Sequence, residues 1–242
     1  MVGRRLFVGI EDRLYALRAR TGRKLWSFQG EDELNTAPAF WRGNVYIAGD
    51  QGNLYAVSAR TGRLRWRAQS NATFGRREFF YATPTVANGR VYIGNTDGTM
   101  YAYGARTGKL LWAKPLGTYV YSAAAVWRRT VYVGTYDGWF YALDAATGDV
   151  KWKRSAPGAV HAAPTVMNGY VYFSTCNGCG SAAARAVKQG PNGTYALKAG
   201  TGKIVWRFRG GKYANPVVAD SRRVYLTGYK TLFALVERKR RR

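Results

Sequence analysis

Few residues in this chain are of the types that carry metal or nucleophilic chemistry. The sequence has one histidine, His161, and two cysteines, Cys176 and Cys179. A single imidazole argues against a histidine-based metal site and against a His-centred catalytic triad. Two cysteines also fall short of the four ligands that a structural zinc site needs. These counts indicate that the chain does not rely on its own metal or on a serine nucleophile.

The two cysteines form Cys176-Asn-Gly-Cys179 at the start of an Ala/Gly-rich insertion that runs to about Asn192. A thioredoxin-type motif would need a βαβ setting, and the surrounding sequence has none. We therefore predict a local disulfide that pins the insertion. A disulfide favours an oxidising, extracytoplasmic compartment.

The acidic residues are few and lie mostly in segments that read as loops. No spacing among them indicates a carboxylate pair for general acid–base work. The glycines fall in hairpin turns, so no phosphate-binding loop is indicated. The side chains of this chain thus point to binding rather than to catalysis.

Composition limits the class of protein further. The chain has 242 residues, of which 47% are hydrophobic, so it can bury a sizeable core. No apolar run approaches the ~18 residues of a membrane-spanning helix. With 38 basic and 13 acidic residues the net charge is +25. Such a charge favours anionic partners, such as nucleic acid, anionic lipid or acidic glycan.

A repeat explains the aromatic share of 15%. Tyr-Ala is followed six residues later by Thr-Gly, and a Trp lies five residues after the Thr, in five copies. A sixth copy, Phe233-Ala234, reaches the basic C-terminus before any Thr-Gly. The repeated tryptophans are Trp26, Trp66, Trp112, Trp152 and Trp206.

Each repeat reads as four short antiparallel strands, here named A to D. Strand A is small and contains proline, as in Thr36–Phe40, Ala82–Val86 and Ala162–Val166; strand B is centred on Val-Tyr; strand C is of the Leu-Tyr-Ala-Leu type; and strand D carries the Trp. Asn-Gly, Asp-Gly and Thr-Gly pairs between them are hairpin signals. Four-stranded units of about 40–45 residues predict an all-β fold built from β-propeller blades.

The segment from Asp137 to Trp152, Asp-Gly-Trp-Phe-Tyr-Ala-Leu-Asp-Ala-Ala-Thr-Gly-Asp-Val-Lys-Trp, resembles the pyrroloquinoline-quinone (PQQ) repeat. The resemblance covers nearly the whole chain. That family includes PQQ-dependent alcohol dehydrogenases and non-enzymatic BamB-type assembly factors. It implies that each strand-D Trp packs between neighbouring blades against a Thr-Gly turn.

Counting strands gives an uneven result. Strands B and C occur six times, but A and D occur five times each, so the first unit lacks its inner strand and the last lacks its outer strand. We expect residues 1–237 to belong to a larger closed ring and residues 238–242 to form a basic tail. The missing strands would come from a segment before Met1, whose length would be between about 20–30 residues and two further blades. Alternatively, a partner or a second copy of the chain would cover the open edge. No signal peptide is visible at Met1.

One position is predicted to line a ligand site. Aligning strand A on its proline places one residue of each blade at the mouth of the central channel, and these residues are Asn35, Tyr81, Tyr121, His161 and Tyr213. Phe79 and Phe80 lie beside them in a long loop. Rings with polar tips suit stacking on a sugar, a peptide or a flat cofactor. The alternative is that these rings only plug the channel.

The charges are predicted to separate onto two faces, because the A–B and C–D turns share one end of a blade and the B–C and D–A loops share the other. The residues predicted for a polyanion-binding face are Arg20, Arg23, Arg60, Arg63, Arg106, Lys109, Arg128 and Arg129. Nine of the acids fall at the opposite end: Glu11, Asp12, Glu31, Asp32, Glu33, Asp50, Glu78, Asp97 and Asp137. The basic end is either a solvated arginine-rich surface or a docking surface for an anionic partner.

The leading functional hypothesis is a non-catalytic, extracytoplasmic propeller that binds a protein or a glycan and needs no cofactor. The first alternative is a fragment of a quinoprotein dehydrogenase, which would use PQQ with Ca²⁺. The second is a polyanion-binding propeller, for which no sequence-specific nucleic-acid motif is present.

Overall fold

The computed structural model describes residues 1–70, 79–176, 178–179, 182–187, 190–209, 217–220, 222–227 and 231–236. The chain divides into two compact units, Met1–Leu116 and Gly117–Arg242. Each unit contains three antiparallel sheets whose strands follow one another in chain order. The predicted all-β fold of four-stranded antiparallel blades is confirmed.

The first unit contains blades 1 to 3. Blade 1 has three strands, β1 (Arg5–Ile10), β2 (Arg13–Arg18) and β3 (Lys24–Gln29). Blade 2 has β4 (Ala39–Trp41), β5 (Asn44–Ala48), β6 (Asn53–Ser58) and β7 (Leu64–Gln69). Blade 3 has β8 (Thr85–Ala87), β9 (Arg90–Gly94), β10 (Thr99–Gly104) and β11 (Leu110–Pro115).

The second unit contains blades 4 to 6. Blade 4 has β12 (Ala125–Trp127), β13 (Thr130–Gly134), β14 (Trp139–Asp144) and β15 (Val150–Ser155). Blade 5 has β16 (Thr165–Met167), β17 (Tyr170–Thr175), β18 (Gly193–Lys198) and β19 (Ile204–Phe208), with a short helix α1 (Ala182–Val187) between β17 and β18. Blade 6 has β20 (Val218–Ala219), β21 (Arg223–Thr227) and β22 (Leu232–Val236). The first and last sheets thus have three strands each, as the strand count predicted.

The same three residue types, Tyr, Ala and Trp, stand in register across blades 2 to 5. In blade 2, Tyr46 of β5 pairs with Ala56 of β6, and Ala56 pairs with Trp66 of β7. The methyl group of the alanine leaves room for the two large rings on either side, whose centroids are 5.8 Å apart. This arrangement explains why Tyr, Ala and Trp recur together in the sequence: the three positions form one layer of the core.

The strand-D tryptophan ties a blade to the next one. Trp26 Nε1 donates a hydrogen bond to the carbonyl oxygen of Ala59 at 3.2 Å, and Trp152 Nε1 donates to that of Ala199 at 3.0 Å. The accepting alanine lies just before the Thr-Gly pair of the following blade. The packing that the family resemblance implied is therefore present within both units.

Burial of these tryptophans is uneven. Trp66 and Trp112 are buried, whereas Trp26, Trp152 and Trp206 are only half-buried. Each half-buried indole still packs against a core cluster of its own unit. The tryptophans are therefore structural, but only two of these five are buried.

Two local predictions need correction. The strand-A segments begin after their prolines: β4, β8 and β16 start at Ala39, Thr85 and Thr165 rather than at Thr36, Ala82 and Ala162. Proline has no N–H to donate to a ladder, so pairing starts downstream of it. The insertion in blade 5, predicted as a loop, contains α1.

Among the described residues, no helix has the length and hydrophobicity of a membrane span.

Candidate functional site

Two equivalent segments lie side by side in the second unit, where the chain enters strand A of blades 4 and 5. The Tyr136 N–H donates to the Tyr119 carbonyl at 3.1 Å, and the Val160 N–H donates to the Thr135 carbonyl at 3.1 Å. The buried Ser122 hydroxyl donates across to the Ala162 carbonyl at 3.0 Å. These bonds fix Tyr121, in the first segment, next to His161, in the second.

Four rings meet at this place. The ring centroids of Tyr121 and His161 are 5.4 Å apart and the planes are tilted by 30°, so the two rings stack. The ring centroid of Tyr119 lies 5.7 Å from that of Tyr121, with the two planes tilted by 31°. The ring of Tyr136 presents an edge to all three, at 6.3 Å from Tyr119, 5.4 Å from Tyr121 and 6.0 Å from His161. We call Tyr119, Tyr121, Tyr136 and His161 the ring cluster.

The ring cluster has a buried base and a partly open top. Tyr136 is fully buried, whereas Tyr119, Tyr121 and His161 are half-buried. The disulfide Cys176–Cys179 packs against the base, and the Tyr136 hydroxyl donates to the Cys179 carbonyl. The Cys176 N–H donates to the Ala159 carbonyl at 2.9 Å. The predicted disulfide is thus present, and it attaches the insertion of blade 5 to the ring cluster.

The electrostatics of the ring cluster favour a neutral imidazole. Burial lowers the pKa of His161 below its ordinary value of 6.5. A neutral imidazole has one donor and one acceptor nitrogen and a flat face. Together with two tyrosine rings it can stack on a planar or apolar group and orient it through polar ring edges.

The equivalent positions of the first unit form a smaller aromatic pair. Tyr81 is 45% exposed and stacks on Phe79 at 5.4 Å. Phe79 is held by its N–H, which donates to the Thr96 hydroxyl at 2.9 Å. Asn35 is exposed, and its amide donates to Glu33 at 3.3 Å. Tyr213 lies outside the described residues.

Phe80 does not belong to a ligand-binding surface. It is 0% exposed and packs edge-on against Tyr101 in the core of the first unit. Successive residues of an extended segment point to opposite sides, so Phe79 faces outward while Phe80 faces the core. The prediction that both rings line a site is therefore wrong for Phe80.

An acidic group lies in the first unit around Asp32. The buried Asp32 carboxylate accepts hydrogen bonds from the Tyr55 hydroxyl at 2.8 Å and from the Gln51 N–H at 2.9 Å. Burial, together with Asp32 and Glu33 nearby, raises the pKa of Asp50. Within the described part of the chain, no three acidic, histidine or cysteine side chains are placed to share a metal ion. The Asp32 carboxylate is thus a structural hydrogen-bond acceptor, which fixes its loop to Gln51 and Tyr55.

The residues predicted for the polyanion-binding face are placed at the A–B and C–D turns. Within blade 2, the Ala59 N–H donates to the Gly43 carbonyl at 2.9 Å, which joins its two turns; blade 4 has the same bond between Ala145 and Arg129. The exposed side chains in the first unit are Arg20, Arg23, Arg60, Arg63, Arg106 and Lys109, and those in the second unit are Arg128 and Arg129.

A separate cavity of about 380 Å³ lies between blades 4 and 5, bordered by Arg154, Phe173, Tyr195 and Arg207. The Arg154 guanidinium at its rim already donates to the carbonyl oxygens of Thr201 and Gly202, both at 3.0 Å. Phe173 and Tyr195 stack on each other at 5.4 Å. Because these groups are engaged in packing the two blades, the cavity offers less to a ligand than the ring cluster does.

Tyr119 and Tyr136 were not predicted as site residues. Tyr136 occupies the B–C turn position that Asp50, Thr96 and Cys176 occupy in other blades, since each donates its N–H to the segment before strand A. Aligning the B–C turns as well as the prolines would have identified it. Predicting Tyr119 would have required the alignment of the D–A loops, which vary in length and have no repeated motif.

The cysteines of this chain are spaced differently from those of the quinoprotein dehydrogenases. The adjacent cysteine pair of the quinoprotein dehydrogenases has no counterpart, because Asn-Gly separates Cys176 from Cys179. The described residues also offer no cluster of acidic ligands near the ring cluster.

Known structures share the architecture. BamB from Moraxella catarrhalis superposes with a TM-score of 0.70 at 15% identity, over 96% of this chain and 81% of that one. A computationally designed protein, Ika8, gives 0.67 at 16% identity, over 98% and 82%. A quinohemoprotein alcohol dehydrogenase from Pseudomonas putida HK5 gives 0.63 at 17% identity, but only 46% of that chain is covered. At these identities the likeness shows the fold alone.

A sequence comparison goes further than the fold. No curated protein matches the chain. The family model described as outer membrane protein assembly factor BamB matches residues 10–118 and 96–190, which include the repeats of blades 1 to 4 and the ring cluster. With most of its length matched, this chain belongs to the PQQ-repeat family of the outer membrane protein assembly factor BamB.

Proposed function

We propose that this chain is a non-catalytic binding module that holds an extended segment of a partner protein against the ring cluster. The observation that carries the proposal is the stack of Tyr121 on His161, half-open to solvent above the buried Tyr136. Rings fixed from below lose little conformational freedom on binding. Such a surface suits aromatic or apolar side chains of a peptide, and a glycan is the rival ligand.

Membership of the BamB family supports a protein partner and an extracytoplasmic location. The disulfide Cys176–Cys179 supports the same location, because disulfides persist in oxidising compartments. The quinohemoprotein neighbour supports the alternative that the chain is part of a PQQ-dependent dehydrogenase. Saturable absorbance changes on adding PQQ with Ca²⁺, together with dye-reduction activity, would favour that alternative.

The binding experiment uses a panel of fluorescent ten-residue peptides with alternating aromatic and polar residues, and a panel of neutral oligosaccharides. Anisotropy is measured with the wild-type chain and with Tyr121→Ala and His161→Ala. Loss of one stacked ring should weaken peptide binding about tenfold, because an aromatic contact contributes roughly 0.5–1.5 kcal/mol beyond its buried area.

Phe40→Ala is the control, because Phe40 is an exposed aromatic residue of β4 in the first unit. It should leave peptide affinity unchanged. Binding of oligosaccharides alone, with the same ranking of variants, would make the partner a glycan. Absence of binding to both panels, or equal binding by Tyr121→Ala and the wild type, would reject the ring cluster as the site.

A further inference from the structure

A short basic motif recurs in the C–D turns of the first unit alone. Blade 1 has Arg20-Thr-Gly-Arg23, blade 2 has Arg60-Thr-Gly-Arg63, and blade 3 has Arg106-Thr-Gly-Lys109. The corresponding turns of blades 4 and 5 are Ala146-Thr-Gly-Asp149 and Gly200-Thr-Gly-Lys203. A uniform bias toward arginine would not confine the doubled cations to three consecutive blades. We call the six cations of the first three turns the basic turn surface.

These six side chains are exposed, and no acidic side chain that the structure describes forms an ion pair with them. Among the described residues, the ion pairs of the first unit are Arg13–Asp12 and Arg67–Glu31, and neither involves the basic turn surface. In blade 4, by contrast, Asp144 pairs with Lys151 at 3.0 Å, and Asp149 accepts a hydrogen bond from Thr147. Positive charge on the basic turn surface is therefore free to meet an external anion.

The turns that carry these charges are rigidly mounted. The Trp26 indole lies against the turn of blade 2, and a Cβ at Gly62 would come within 2.8 Å of it. The Trp66 indole lies in the same way against the turn of blade 3, where a Cβ at Gly108 would come within 2.7 Å. Consecutive cationic turns are thus held at fixed separations by the packing of the blades.

Apolar side chains accompany the cations. Leu25, Leu64 and Leu111 are the first or second residues of strand D after the three turns, and they are 37%, 48% and 44% exposed. Each leucine lies one or two residues after the last cation of its turn. Cations next to exposed leucines are the combination that interfacial membrane binding uses, since lipid headgroups attract the charge and the acyl boundary accepts the apolar group.

We infer that the basic turn surface docks the first unit onto an anionic lipid bilayer. A soluble polyanion would account for the cations but would leave the exposed leucines without a role. The docking surface consists of the C–D turns, whereas the ring cluster consists of D–A and B–C segments of the second unit. The inference is therefore independent of the proposed peptide site.

The test is co-sedimentation with vesicles of phosphatidylcholine alone and of phosphatidylcholine with 30% phosphatidylglycerol. The wild-type chain should bind the anionic vesicles, and binding should fall steeply as NaCl is raised from 50 to 500 mM. Arg60→Gln/Arg63→Gln should lower the partition coefficient about 25-fold, at roughly fivefold for each basic residue near the surface. Arg207→Gln/Arg209→Gln, which removes two exposed cations of the second unit, is the matched control and should change binding less than twofold.

A second pair of variants separates a membrane from a polymer. Leu64→Ser/Leu111→Ser should weaken vesicle binding while leaving binding to heparin-agarose unchanged, with circular dichroism verifying the fold. Retention on heparin without binding to anionic vesicles would overturn the inference in favour of a soluble polyanion. Equal losses for the Arg60/Arg63 and Arg207/Arg209 pairs would overturn it in favour of net charge alone, and equal binding to both vesicle types would exclude charge as the cause.

Discussion

The indole Nε1 of Trp66 donates a hydrogen bond to the carbonyl oxygen of Ala105 in the next blade, 3.1 Å away. The hydroxyl of Tyr46, in the same blade as Trp66, donates to that oxygen at 2.9 Å. Tyr132 and Trp152 share the Ala199 carbonyl in the same manner, at 3.1 and 3.0 Å. One carbonyl before each of these Thr-Gly turns thus receives two donors from the preceding blade, which couples the blades through a single peptide group.

Removing the Trp66 ring should therefore destabilise the fold strongly. Trp66→Ala deletes a buried indole and leaves a cavity, so the free energy of unfolding should fall by about 3–5 kcal/mol. Trp66→Phe keeps most of the packing but loses the donor to Ala105, and should cost about 1–2 kcal/mol. Urea unfolding followed by fluorescence measures both, and Tyr121→Ala, at a half-buried ring, should cost much less. A Tyr121→Ala protein as unstable as Trp66→Ala would indicate that the ring cluster only fills space.

The turn glycines offer a matched pair of substitutions. Gly22 and Gly62 both have positive φ, +68° and +74°, but a Cβ at Gly22 meets nothing within 4 Å, whereas one at Gly62 meets the Trp26 ring at 2.8 Å. Gly22→Ala should cost about 1–2 kcal/mol for the left-handed backbone alone. Gly62→Ala should cost about 1–3 kcal/mol more, because the methyl group displaces the indole. Equal unfolding free energies for the two variants would contradict the Trp–turn contact.

Reduction of the disulfide should have a modest effect on stability. Cys176 and Cys179 are three residues apart, so the closed loop is short and its entropic contribution is about 2 kcal/mol. Thiol counting in denaturant without reductant should detect no free cysteine in protein purified from an oxidising compartment. Two free thiols in such a preparation would contradict the disulfide and remove one support for the extracytoplasmic location.

Stability should depend on pH through His161. Because burial holds its pKa below 6.5 in the folded chain, the unfolded chain takes up a proton first as the pH falls. The contribution of the neutral imidazole is therefore fully present above the unfolded pKa and is lost as pH falls through 6.5 toward the folded value. His161→Gln should remove this step, so the difference in unfolding free energy between wild type and variant should shrink from pH 7.5 to 5.5. A difference independent of pH would show that His161 titrates as it does in the unfolded chain.

The blades could be predicted from the sequence because their signals are local. Thr-Gly and Asn-Gly turns fix the hairpins, and the Tyr, Ala and Trp of one layer are tied to them at constant spacing. Which of Phe79 and Phe80 faces outward is harder to predict from the sequence. It depends on the hydrogen bond from the Phe79 N–H to the Thr96 hydroxyl, and this loop has no repeated motif. Tyr136 can be found by aligning the B–C turns, whereas Tyr119 lies in a D–A loop of variable length, where no constant spacing fixes its position.

The register of strand D has a consequence for how the molecule meets copies of itself. In every described strand D, one residue has no partner in strand C at the step next to the Trp: Leu25, Arg65, Leu111, Lys151 and Val205. Such a bulge bends the strand and interrupts the flat row of backbone donors and acceptors that another chain would need for pairing. Charged side chains on these strands, such as Arg65 in β7 and Lys153 in β15, add repulsion between like edges. The bulges therefore make strand D of each blade a poor template for strand-to-strand pairing with another copy of the chain.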